Sequence, residues 1–197
     1  RDTPWSPWHK RLHNQLQAEP KLLPKGACLL VAVSGGQDSI ALLKLINDLK
    51  RLYFWNLTIW HGDHGWHEQS NQIAKELQKW CELKGLQFFC EKTNKVATKS
   101  EESARHWRYK YLVKKAKDLI DINSKNTSVY VVTGHTGSDR AETLLLNIAR
   151  GAGLAGLSSL PISRNLEKGI ELVRPMISFS REETAEICKE MKLPVWI

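Results

Sequence analysis

Six consecutive apolar residues, Cys28-Leu29-Leu30-Val31-Ala32-Val33, run straight into Ser34-Gly35-Gly36-Gln37-Asp38-Ser39, and a largely apolar helical pattern continues from Ser39 to Leu52. That junction constrains the fold more than any other feature of the chain. An apolar run without polar alternation describes a strand covered on both faces, as in a parallel sheet. The paired glycines let the backbone turn sharply, and a helix opens with Asp38 near its start. Strand, glycine turn and helix begin a βαβ unit whose helix N-terminus offers N–H groups and a positive dipole end to an anion. An ordinary strand-to-helix turn explains the glycines. It does not explain two hydroxyls and an acid packed around them.

The alternation repeats along the chain. Leu57–His61 reads as a strand, Asn71–Lys84 as a helix with Ile73, Leu77, Trp80 and Cys81 on one face, and Leu86–Glu91 as a third strand. Thr98 or Ser100 caps a basic helix running to about Leu119, with Ala104, Trp107, Tyr111 and Leu112 inward. Asp118–Ser128 is the expected exposed loop. Val129–Thr133 is a β-branched strand, and Asp139–Arg150 a helix with Ala141, Leu144, Leu145 and Ile148 inward. Gly151-x-Gly153-x-x-Gly156 reads as a loop, Ile170–Val173 as a short strand before Pro175, and Ser180-x-x-Glu183 as the cap of a last helix to Met191. Leu12–Leu23 reads as an N-terminal helix ending at Pro24. The predicted fold class is α/β: a doubly wound, mostly parallel sheet of about five strands with helices on both faces. Residues 1–24 form a helical segment packed on a domain spanning 25–197.

A length of 197 residues suits one such domain. At 42% apolar and 25% charged residues, the composition is that of a folded globular protein rather than a disordered one. No apolar run approaches the ~18–20 residues of a membrane helix, and the N-terminus lacks the apolar core of a secretory leader. The four cysteines form no C-x-x-C pair, which excludes a local zinc knuckle or dithiol motif and fits buried thiols in a reducing cytoplasm. A net charge of +8 favours a polyanionic partner such as nucleic acid. Eight tryptophans, several beside basic residues, either stack bases or pack in the core.

The chain lacks G-x-x-x-x-G-K-[ST], the nucleotide loop of kinases and GTPases. Ser34-Gly35-Gly36-Gln37-Asp38-Ser39 instead resembles the PP-loop of the ATP pyrophosphatases, which cleave ATP between the α- and β-phosphates and adenylate a substrate oxygen. Four further segments follow in order: His61-x-Asp63-His64-Gly65, Glu102-x-Ala104-Arg105-x-x-Arg108-Tyr109, Thr133-Gly134-His135-x-x-x-Asp139-x-Ala141-Glu142-Thr143, and Arg150-Gly-x-Gly-Leu-x-Gly-Leu157. Together, from about Ala27 to the last residue, they resemble the tRNA(Ile)-lysidine synthetase family.

The resemblance implies an adenine nucleotide alpha hydrolase-like fold and a two-step ligation. ATP adenylates the C2 carbonyl oxygen of the wobble cytidine of tRNA(Ile) with a CAU anticodon, releasing pyrophosphate. The ε-amine of free L-lysine then attacks C2 and expels AMP. It implies ATP contacts from Ser34, Gly35, Gly36, Gln37, Asp38, Ser39, Asp63, His64, Gly134 and His135, and lysine binding by Asp139 and Glu142. Catalysis falls to Asp38, Arg105 and Asp139, Mg²⁺ to Asp38, and phosphate or tRNA contacts to Arg108 and Arg150. The compartment is the cytoplasm or a plastid stroma, and the oligomeric state, a homodimer included, stays open.

Each assignment has a plainer counterpart. Asp38 either holds Mg²⁺, orients the lysine amine or is a helix-start acid favoured by the dipole. Asp139 and Glu142, at i and i+3, describe either a lysine site or a solvated helix face. Arg105 and Arg108 either meet phosphates or pair with Glu101 and Glu102. The role of His135 is open. Two departures stand out: His67 replaces a common arginine, and Ser138-Asp139-Arg140 replaces two acids and a glutamine. Family members also continue beyond Trp196-Ile197 into an Asp-x-Ser-Asn stretch, an arginine-rich segment and C-terminal tRNA-binding domains. The rival readings are another PP-loop enzyme, such as a tRNA cytidine thiolase, and a non-catalytic nucleotide- or tRNA-binding module. Unpaired cysteines weigh against the first, and retention of Asp38, Asp139 and Glu142 against the second.

Overall fold

The computed structural model describes residues 5–65, 69–93, 100–123, 127–149 and 160–196. Its elements run α1 (Pro7–Ala18), β1 (Cys28–Ala32), α2 (Gln37–Tyr53), β2 (Asn56–Asp63), α3 (Ser70–Leu83), β3 (Gln87–Lys92) and α4 (Glu101–Asn123). Then come β4 (Val129–Val132), α5 (Gly137–Ala149), β5 (Ser163–Glu167), β6 (Ile170–Val173), a 3-10 turn (Pro175–Ser178) and α6 (Arg181–Glu190). The strands form one sheet in the order β3-β2-β1-β4-β6-β5. All neighbouring pairs are parallel except β5 with β6. Strand order therefore grows outward from β1 on one side and from β4 on the other. The crevice between their carboxyl ends is the topological switch point, where doubly wound sheets bind ligands.

The central run explains the layers. Leu29, Val31 and Val33 face one core with α1, α2, α3 and α6, while Cys28 and Leu30 face a second core with Trp107, Leu112, Ala116 and Leu119 of α4. Trp55, Trp60 and Trp107 are all buried, so these tryptophans serve packing. Cys28, Cys81 and Cys188 are buried free thiols.

Several boundaries differ from those the sequence pattern suggests. Helix α1 starts at Pro7, because the Ser6 hydroxyl accepts the His9 N–H while His9 Nδ1 accepts the Ser6 N–H at 3.1 Å. Histidine thus fills the position usually held by Glu or Gln in such a reciprocal cap. The helix ends at Ala18, ahead of Pro20, and Leu22 and Leu23 are buried outside any helix. His9 Nε2 then meets Asp48 Oδ2 at 2.8 Å, tying α1 to α2. Helix α4 continues through Asp118–Asn123, where a loop was expected, because Leu112, Ala116 and Leu119 keep one stripe against the sheet. The antiparallel edge strand β5, Ser163–Glu167, adds a sixth strand that carries little apolar signal, since it is almost wholly exposed. Helix α5 holds the largest surprise: none of its side chains is buried. Ala141 is exposed, Leu145 is 66% exposed and Ile148 54%, and no described element lies over them. The periodicity recorded an apolar face without saying what covers it. The Thr98 cap and the Gly151–Gly156 loop lie outside the described residues.

Candidate active site

Two loops leave the sheet side by side at the switch point. After β1 the chain turns at Gly35, whose φ of +99° is open to glycine at little cost. The hydroxyls of the loop act as staples. Ser39 Oγ donates to the Gly36 carbonyl at 2.9 Å and accepts the Ser34 N–H at 3.2 Å, while Ser34 Oγ accepts the Gly36 N–H at 3.2 Å. Gly36 caps α2 with no side-chain hydrogen bond, which leaves the helix start open to an anion. After β4, Gly134 lies against that start. A Cβ there would meet the Asp38 carbonyl carbon and the Ser39 Cα at 3.0 Å, so any side chain would push the two loops apart.

Between the loops and the end of β2 lies a cavity of about 350 Å³. Of the residues singled out from sequence, it gathers Ser34, Asp38, Ser39, Asp63, His64, Arg108, Gly134, His135 and Asp139 in its walls. Gly35 and Gly36 shape the loop beside it. The Gln37 side chain turns away, donating to the Arg181 carbonyl at 2.8 Å. Arg105 and Glu142 are exposed and outside the lining, although each lies three residues from a lining residue on its own helix. Arg150 and His67 lie outside the described residues.

The electrostatics of the walls are uneven. Burial and the Arg174 guanidinium push the His135 imidazole down to about 4, and its Nδ1 pairs with Thr133 Oγ1 at 2.9 Å. Burial and Arg108 likewise push His64 down to about 4. Both rings are neutral at pH 7 and add no positive charge to the walls. Buried His61 donates Nδ1–H to the Val33 carbonyl at 2.7 Å, fixing the end of β1 against β2. Asp63, also buried, accepts the Gly65 N–H at 2.9 Å. Burial pulls Arg108 below the usual guanidinium range, yet an arginine there stays charged at pH 7.

Besides Arg108, the walls carry a pair of carboxylates, Asp38 and Asp139. Asp139 Oδ2 accepts the Thr136 N–H at 2.7 Å and the Thr136 hydroxyl at 3.0 Å, while its Oδ1 meets Arg181 Nη2 at 3.0 Å. Asp38 Oδ2 lies 4.0 Å from Arg181 Nε, and its Oδ1 accepts the hydroxyl of Thr184, a side chain with no solvent exposure. The first turn of α6 therefore packs against both carboxylates. Sequence reasoning missed Arg181, Thr184 and the fully buried Arg174. No local signal marks them, because Arg181 and Thr184 sit in a helix read only as a terminal element. The Ser138 departure gains a use here: its hydroxyl accepts the Arg181 N–H at 3.1 Å.

Among the described residues no three His, Cys, Asp or Glu side chains form a metal cluster. Magnesium carried in by phosphates needs only one or two protein carboxylates, and Asp38 fits that donor set. A resident sulfur or iron–sulfur site does not fit: Cys81 and Cys188 are buried on separate helices, with burial pushing their thiols up to about 12 and about 11.

The sequence profile of the PP-loop domain matches residues 8–197. The chain belongs to the PP-loop family. A PP-loop domain of this kind binds ATP. The chain is 55% identical over 196 residues to a tRNA(Ile)-lysidine synthase of Prochlorococcus marinus, covering all of this chain and 58% of that protein. It is 39% identical to the chloroplastic tRNA(Ile)-lysidine synthase of Pyropia yezoensis, covering 96% of this chain and 55% of that one. This PP-loop chain thus spans little more than half the length of these curated relatives. Among solved structures it resembles a U34-tRNA thiolase from Methanococcus maripaludis, with a TM-score of 0.73 at 17% identity, over 96% of this chain and 63% of that one. At that identity the likeness shows the fold. No described helix is long and apolar enough to cross a membrane.

Proposed function

We propose that this PP-loop chain carries the chemistry of a tRNA(Ile)-lysidine synthase: ATP-dependent attachment of lysine to C2 of the wobble cytidine in a CAU anticodon. The observation that carries the reading is the pairing, in one cavity, of an anion site with a cation site. The open start of α2 and Arg108 suit phosphates. Asp38 and Asp139, brought from the first turns of α2 and α5 onto one guanidinium, suit a positively charged substrate group.

A neutral cytosine carbonyl is a weak electrophile until its oxygen carries a good leaving group. In the first step O2 bonds to the α-phosphorus and pyrophosphate departs, with Arg108 neutralising charge on the phosphates. Mg²⁺, held by Asp38 and the phosphates, would add Lewis-acid neutralisation. In the second step the lysine ε-nitrogen bonds to C2 and the C2–O bond breaks to AMP. The amine must lose its ammonium proton first; the Asp139 carboxylate holds that group by charge and takes up the proton. His135, neutral at pH 7, contributes a hydrogen bond and no charge. Glu142, one turn along the same face of α5, supplies a second carboxylate to the amino acid. Arg105 and the Arg150 segment meet tRNA phosphates. The close relatives named above support this reading over the thiolase alternative.

The test is AMP release with ATP, tRNA(Ile) and lysine, each omitted in turn. Lysine-dependent AMP release supports the reading, whereas sulfide-dependent turnover or none would replace it with one of the rivals.

A further inference from the structure

We propose that Arg181 is the resident counter-ion of the Asp38–Asp139 pair, a guanidinium that the substrate ammonium must displace, so that it sets how tightly the site takes its amine. The inference rests on the lysine reading above, and it assigns to α6 a part in substrate binding.

The geometry separates a fixed backbone from a movable side chain. The Arg181 N–H is held by Ser138 Oγ at 3.1 Å and its carbonyl by Gln37 Nε2 at 2.8 Å. The side chain, by contrast, is 52% exposed and reaches back to Asp139 at 3.0 Å and toward Asp38 at 4.0 Å. Arg181 is also the first residue of α6, followed by Glu182 and Glu183. A helix N-terminus disfavours a cation, so helix energetics do not place a guanidinium there. The two carboxylates do. Each of them lines the cavity and each is three-quarters buried, so leaving both without a cation would set two negative charges together in a partly dry site. A half-exposed ion pair is weak, which makes the guanidinium an exchangeable occupant rather than a permanent strut. Thr184 keeps Asp38 oriented during the exchange, because its buried hydroxyl stays bonded to the carboxylate.

A displaced counter-ion competes with its replacement. Arg181→Gln removes the competitor while keeping a polar chain of similar reach. In the lysine-dependent AMP assay, the variant is expected to lower the KM for lysine by roughly two- to five-fold, the scale of an exposed ion pair, with the KM for ATP held within about two-fold. Arg181→Lys keeps a positive charge and should hold the lysine KM near the wild-type value. A strut that merely supported Asp139 would raise the lysine KM in R181Q, and that result, or an unchanged KM, overturns the proposal.

The second arm needs no turnover. Tens of millimolar guanidinium chloride, compared with sodium chloride at equal ionic strength, should raise the melting temperature of R181Q relative to its effect on the wild type, because the emptied seat accepts the free ion. Equal responses from the two proteins overturn the proposal. Should the wild type release AMP without lysine, the reaction assigned above fails, and the guanidinium comparison alone then decides whether Arg181 occupies an exchangeable cation seat.

Discussion

Acidification should destabilise this chain through His135, and by an amount its surroundings allow one to work out. The imidazole is held at about 4 by burial and by the buried Arg174 guanidinium, against an ordinary value of 6.5. Between those two values the unfolded chain binds a proton that the folded chain refuses. Stability is therefore fully present above about pH 6.5 and declines as the pH falls toward about 4. At pH 5 the unfolded ring is almost fully protonated and the folded ring about one-tenth so, which costs about 2 kcal/mol relative to pH 7.5. His135→Gln keeps a polar group beside Thr133 Oγ1 and removes the titration. The assay is urea unfolding of wild type and H135Q at about pH 7.5 and about pH 5. His64, Asp48 and every other titrating group contribute alike to both proteins, so the difference of differences isolates this ring. The wild type should lose roughly 1–2 kcal/mol more than the variant across that interval. Equal losses would show that His135 takes up its proton without cost in the folded chain, and the account of its burial beside Arg174 would be wrong.

Further tests address other parts of the site. Asp38→Ala should abolish pyrophosphate release in a radiolabelled ATP assay, since the phosphate-bound cation and the amine seat both lose a ligand; near wild-type turnover would remove Asp38 from the chemistry. Glu142→Gln should raise the lysine KM far more than the ATP KM, whereas equal rises would place Glu142 in folding or nucleotide binding. Thr184→Val keeps the shape of a buried side chain but removes the donor to Asp38, and should cost about 1–2 kcal/mol in denaturant unfolding; no loss would show that the carboxylate finds another partner. This chain should bind cognate and non-cognate tRNA alike in filter titrations, with affinity falling steeply with salt. A cognate preference that survives physiological salt would locate specificity in the PP-loop domain itself.

Much of the fold is legible because its signal is local. The run from Cys28 to Val33 needs cover on both faces, and the structure supplies it, one core meeting Leu29 and Val31 and the other meeting Leu30. Elements whose signal depends on distant partners were harder to read. Strand β5 pairs along an exposed edge, so its residues carry polar side chains and no alternation worth detecting. Helix α5 errs in the opposite direction. Its leucines and isoleucine repeat with helical spacing, yet the described residues place nothing over Leu145 or Ile148. Periodicity reports which face avoids water, and it is silent on whether the same stretch of chain provides the cover.

For the active site the limit is of another kind. The PP-loop and the Thr133–Asp139 segment could each be read because a parallel sheet delivers strand ends to one edge, and the switch point puts β1 and β4 next to each other. That topology alone brings Asp38 and Asp139 into a shared cavity. What the pair does chemically depends on the net charge around it, and this is decided by α6, whose first residue follows Asp139 by 42 positions. Arg181 joins the two carboxylates, Thr184 orients one of them, and Gln37 turns its side-chain amide to the α6 backbone. A motif names the residues that can carry a charge, whereas the partner of that charge comes from whichever element the fold packs beside it. In this chain that element is a terminal helix whose sequence announces only its cap.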